Sequence, residues 1–183
     1  SNDASAQDDA IAEPVIIDSL HTYFSNGATL KDGKYVWNPT DCSSGHTFVY
    51  TVSYAMSGIL STDKGAFKIE LPLHILKDRN GNWADTFDCP YQIDSEITEA
   101  DSPDFVYSIN EEANTATIYN YNPYPIGESG YIEFSYTTSQ NTLSYVDMAP
   151  STNVHTKIYA TSKASTVTAE SDAPPVYVDT HAT

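Results

Sequence analysis

Apolar and polar residues alternate with period two along most of the chain from Pro14 onward. The clearest stretch runs from Thr47 to Met56. There Phe48, Tyr50, Val52, Tyr54 and Met56 alternate with Thr47, Val49, Thr51, Ser53 and Ala55, which puts one set on each face of a strand. Ala66 to Leu71 repeats the pattern, with Phe67, Ile69 and Leu71 on one face and Lys68 and Glu70 on the other. Pro72 has no N–H to give a ladder and closes that strand. Further strand-like runs are Val15–Ile17, Gly33–Trp37, Phe105–Ile109, Thr115–Tyr121, Tyr131–Thr138, Val154–Thr161, Thr166–Ala169 and Val176–Thr180. Turn residues separate them: Gly58 with Ser61-Thr62-Asp63, Asn80-Gly81, and a hairpin loop at Glu111–Asn114.

This spacing predicts an all-β fold, a single antiparallel β-sandwich over residues 14–183. No stretch carries a sustained helical period. Leu20–Phe24 and the residues after Asp94 have room for one helical turn. Phe48, Tyr50, Val52 and Tyr54 are expected in the core, with Phe67, Ile69, Ile118, Ile132 and Phe134 as companions. Residues 1–13 are small, polar and acidic and read as a mobile leader. Within it, Ser1-Asn2 reads as an expression scar and Ala4-Ser5-Ala6 resembles the end of a secretory signal. No internal repeat or break in composition marks a second domain.

Composition sharpens the picture. The chain holds 20 Ser, 20 Thr and 14 Tyr, residue types suited to pleated, half-buried surfaces and turns. Acidic residues number 25 and basic residues 8, for a formal net charge of −17. That balance argues against nucleic acid, whose phosphates need clustered Lys and Arg, and against anionic membrane surfaces. No apolar run approaches the ~18 residues of a membrane span. An extracellular setting is expected.

Catalytic motifs are missing from the sequence. The five His residues show no HxH or HExxH spacing, and no Gly-x-Ser-x-Gly elbow or phosphate-binding glycine loop occurs. A non-enzymatic role is therefore expected. The alternative is a secreted carbohydrate-binding module or a glycoside-acting domain, since 25 acidic residues supply many carboxylate pairs. Asp78-x-Asn80-x-Asn82 with Asp85 is an oxygen-rich loop that could take calcium, the one cofactor the sequence suggests. Its other reading is a plain hairpin turn around Asn-Gly. Cys42 and Cys89 form an even pair, for which a disulfide would be worth about 4 kcal/mol in the chain-entropy model. Two free thiols, or a thioester from a Cys to Gln92 or Gln140, remain alternatives. Tyr119, Tyr121 and Tyr124, with Asn120 and Asn122 between them, offer rings and amides suited to a sugar or peptide.

GKYVWNPTD, AFKIELPLHILKDRNGN, TATIYNYNPYPIGESGYIEFSYTT and PVYVDT together resemble modules of Gram-positive cell-wall-anchored adhesins and pilin stalks. The resemblance spans roughly Val15 to Thr180. It implies an immunoglobulin-like or collagen-adhesin-like sandwich at the cell surface or wall, flanked by neighbouring domains and binding a host protein or glycan. It also implies an intramolecular isopeptide bond between a Lys and an Asp or Asn, helped by a carboxylate. Pro175-Val176-Tyr177-Val178-Asp179 is similar to the final strand of such modules, which makes Asp179 the acceptor. Lys34, on an early strand, becomes the amine, with Glu70 or Glu133 as helper and Asn120 as a rival acceptor. A buried neutral Lys and a protonated acid would supply the chemistry.

Overall fold

A computed structural model describes residues 14–38, 45–124, 129–138, 153–163 and 165–179. The expected leader, residues 1–13, lies outside them. Thirteen strands run in chain order: β1 (Ile16–Asn26), β2 (Thr29–Lys31), β3 (Lys34–Trp37), β4 (Thr47–Ser57), β5 (Phe67–Pro72), β6 (Asp85–Asp88), β7 (Gln92–Ile93), β8 (Phe105–Asn110), β9 (Thr115–Asn120), β10 (Ser129–Thr138), β11 (Val154–Thr161), β12 (Thr166–Ala173) and β13 (Val176–Val178). They form a four-stranded sheet in the order β1-β4-β10-β6, a six-stranded sheet β12-β11-β5-β9-β8-β7, and a three-stranded sheet β13-β3-β2. The fold is all-β, and among the described residues one turn of helix occurs, at Asp94–Glu96.

Side chains join the two larger sheets along their length. Thr22 of β1 bonds Ser171 of β12 at 2.8 Å, and Tyr50 of β4 bonds Thr156 of β11 at 2.6 Å. Tyr54 of β4 meets Phe67 of β5, and Phe87 of β6 meets Tyr107 of β8. Phe48, Tyr50, Val52, Phe67, Ile69, Ile118 and Phe134 are fully buried, and Tyr54 and Ile132 nearly so. Every residue expected in the core therefore lies there, because the period-two alternation sorted each strand into an inner and an outer face.

Three expectations change. Leu20–Phe24 belongs to β1 rather than to a helical turn. Leu20 to Phe24 pair with Tyr54 to Tyr50, and the polar Thr22 points inward to reach Ser171, which blurs the alternation. Pairing is not wholly antiparallel, since β13 runs parallel to β3 and β7 parallel to β8. A third sheet also exists, and its Tyr35, Trp37 and Val176 are buried.

The two ends of the described chain are fixed at opposite ends of β4. Ile16 pairs with Ser57 at one end. Beside it the backbone passes so close to Gly58 that a Cβ there would lie 2.2 Å from the Pro14 carbonyl oxygen. At the other end Trp37 stacks on His46 at 4.7 Å and meets Phe48 edge-on, and the Asp179 N–H donates to the Trp37 carbonyl. The 11 residues of β4 separate these points by about 34 Å at the usual rise per residue.

Candidate functional site

The isopeptide candidates do not converge. Lys34 and the last strand are neighbours, since β3 pairs with β13, but the register is Tyr35 to Val176 and Trp37 to Val178. Asp179 therefore lies four positions beyond the residue opposite Lys34, about 13 Å along a parallel ladder. Lys34 is exposed, and its Nζ rests 4.4 Å from the centroid of Tyr177. Glu70 lies on β5 in the six-stranded sheet, and Glu133 is exposed on β10 in the four-stranded sheet. The resemblance aligned strand order without fixing strand direction or register. Those two properties separate Lys34 from Asp179 and leave both helper candidates, Glu70 and Glu133, in other sheets.

Asn120 is inside, as its place on the Ile118 face implied, with another role. Its Oδ1 accepts the Phe67 N–H at 2.9 Å, and its Nδ2 donates to the Asp63 and Asn122 carbonyls. It is fully buried and ties the start of β5 to the end of β9.

Cys89 is a buried free thiol, and burial pushes its pKa up to about 12. Its expected partner Cys42 lies outside the described residues, as does Gln140; Gln92 is exposed on β7.

The oxygen-rich loop is a hairpin turn. Asp78 Oδ1 accepts the N–H groups of Asn80 and Asn82 at 2.9 and 3.0 Å, and Gly81 adopts φ +83°, the left-handed conformation that glycine permits without strain. Asp85 does not join that loop. It is buried, and its carboxylate accepts the Ile75 N–H at 2.8 Å and lies 3.2 Å from His74 Nδ1. Nδ1 also donates to the Asp85 carbonyl at 2.8 Å. Desolvation raises the Asp85 pKa against these bonds. Among the described residues no group of three His, Cys, Asp or Glu side chains could hold a metal ion.

The tyrosine trio divides by face. Tyr124 packs inward, stacked on Phe67 and edge-on to Phe105, with its hydroxyl 3.0 Å from that of Tyr54. It also lines a 360 Å³ cavity with Leu60 and Pro123. Tyr119 and Tyr121 lie half-exposed on the other side. Lys64 Nζ sits 4.6 Å from the Tyr121 ring and 5.9 Å from that of Tyr119. The Tyr119 hydroxyl donates to Asp94 at 2.8 Å, and burial together with that carboxylate lifts its pKa to about 12. Tyr119 and Tyr121 thus remain together as a surface pair, and Tyr124 leaves the group as a packing residue.

One cluster escaped the sequence. His155 on β11 stands between Asp172 and Glu170 of β12, at 2.7 and 3.1 Å. The bond to Asp172 does most to raise its pKa. His155 pairs directly with Asp172 in the ladder, a register that no local pattern reveals.

No family model matches the chain, and no curated protein matches its sequence.

Proposed function

We propose that this chain is a non-enzymatic extracellular module, an adhesin or stalk domain for attachment or display at a bacterial cell surface. On this reading the two facing sheets are an immunoglobulin-like or collagen-adhesin-like β-sandwich set between neighbouring domains. The observation that carries it is the placing of Pro14 and Asp179. Pro14 and Val15 sit beside Gly58 at one end of β4, and Asp179 lies beside Trp37 at the other. Tyr35 meets Phe24, while Trp37 meets His46 and Phe48. β3 therefore climbs toward the Asp179 end, and β13, parallel to it, climbs the same way. Tension between Pro14 and Asp179 pulls β13 along its own axis. Its hydrogen bonds to β3 then bear the load together, and β1 is held by its long ladder to β4. A domain in a load-bearing chain needs that arrangement, because its survival depends on an unfolding rate.

The second reading, a carbohydrate-binding module, is supported by the Tyr119–Tyr121 pair with its overlying Lys64. Protease shaving of intact cells of the organism that encodes the chain tests the main reading. Release of its peptides under conditions that spare cytosolic markers is the expected result. Recovery of the chain only after lysis would overturn it.

A further inference from the structure

The outer face of the four-stranded sheet combines exposed aromatic rings, carboxylates and a floor of small hydroxyl residues. Tyr131 of β10 is 66% exposed, more than any other large hydrophobic side chain among the described residues. Exposed Glu133 follows two positions on, on the same face. Across the sheet Tyr131 aligns with Ser53 of β4, which aligns with His21 of β1. Glu133 likewise aligns with Thr51, which aligns with Tyr23. His21 and Tyr23 stack at 4.9 Å. Tyr131 with Glu133 and the His21–Tyr23 stack thus lie two strand spacings apart, about 9.6 Å, on either side of half-buried Ser53 and buried Thr51.

The charge on this face is one-sided. The four strands β1, β4, β10 and β6 contain no Lys or Arg, while Asp18, Glu133 and Asp88 are exposed on them. Lys64, Lys68 and Lys157 belong to the other large sheet or to the loop leading into it. The whole chain carries −17. A cationic partner is therefore drawn toward the molecule, and it meets no Lys or Arg on these four strands. A Tyr ring beside a carboxylate suits a guanidinium or ammonium, which takes the ring face and the oxygen together.

We propose that this face docks an extended, Arg- or Lys-bearing segment of a partner protein. One basic side chain lies against Tyr131 and Glu133, and another lies against the His21–Tyr23 stack. The inference deepens the attachment reading and rests on it for its biological meaning.

The test uses the whole chain and a fluorescent peptide in which Arg alternates with Ser, titrated by anisotropy at several salt concentrations. Neutral cello- and xylo-oligosaccharides are run beside it. Tyr131→Ala removes no charge, and at an exposed position it leaves the fold intact, which circular dichroism checks. It should weaken the peptide about two- to fivefold. Glu133→Gln should weaken it similarly and flatten the salt dependence. Glu112→Gln, in the hairpin loop between β8 and β9, should change binding little. Equal weakening by Glu112→Gln and Glu133→Gln, with none from Tyr131→Ala, would reduce the effect to diffuse attraction and overturn the proposal. Tyr131-dependent binding of the oligosaccharides without the peptide would reassign the face to sugar. Neither result depends on cell-surface exposure, so the attachment reading stands or falls separately.

Discussion

Removing the Asn120 side chain tests the architecture at a single buried point. Asn120→Ala deletes three hydrogen bonds at once: the one accepted from the Phe67 N–H and those given to the Asp63 and Asn122 carbonyls. A buried polar group left without a partner costs about 1–3 kcal/mol. The Phe67 N–H is fully enclosed and bears that cost in full. The two carbonyls are partly reachable by water, so their share is smaller. The expected loss is about 2–4 kcal/mol in chemical denaturation at neutral pH. Asn120→Asp separates bonding from shape. A carboxylate can still accept from Phe67 but faces two carbonyl oxygens, so its folded pKa should rise above the ordinary value near ~4. A raised folded pKa means stability is fullest below the ordinary pKa and is lost as pH rises through the folded one. The gap between parent and Asn120→Asp should therefore narrow on acidification from neutral pH. A loss below about 0.5 kcal/mol for Asn120→Ala would refute the staple, and a gap that ignores pH would refute the orientation of the amide.

Other outcomes follow from the same structure. Phe67→Ala and Phe134→Ala, both fully buried, should each cost about 3–5 kcal/mol in urea titration. His155, held above its ordinary pKa by Asp172 and Glu170, stabilises the fold most below about pH 6.5, and that contribution fades as pH rises through its folded pKa. The melting-temperature gap to His155→Ala should be about 1 °C near pH 5–6, since the pair is half exposed, and should close by about pH 9. In a Cys42→Ser background, Cys89 should resist Ellman's reagent in the folded protein and react only on unfolding, because its buried thiol has a pKa of about 12; fast labelling of the folded form would contradict its burial. Intact mass should show no loss of one water from a Lys34–Asp179 bond, and a deficit of one water abolished by Lys34→Ala would overturn the register described for β3 and β13.

The strands that alternate cleanly were legible because local pattern alone sorts their side chains. Phe48 to Met56 and Phe67 to Leu71 required nothing from elsewhere in the chain. β1 was only half legible, because its inward Thr22 is polar and its partner Ser171 sits 149 positions away. β2, β6 and β7 span three, four and two residues, too short for any period to register. Candidate sites fared worse, since each depends on register. Asn120 could be assigned an inward face, but its partner Phe67 lies 53 positions away. The placing of Lys34 near the final strand came only as an implication of the resemblance, and the parallel direction that separates it from Asp179 has no local signal. Tyr131, Glu133, His21 and Tyr23 each sit on an outer face by alternation, yet only the pairing through β4 brings them to one surface.

Force between residues 14 and 179 should load β1 and β13 along their length. Single-molecule pulling can compare two attachment geometries in the same protein. In one, the handles are at residues 14 and 179, at opposite ends of β4. In the other they are at residues 14 and 57, side by side at one end, where β1 peels from β4 one pair at a time. A distinctly higher unfolding force in the first geometry is the expected result. Equal forces, or easier unfolding between residues 14 and 179, would contradict the account of this chain as a load-bearing surface module.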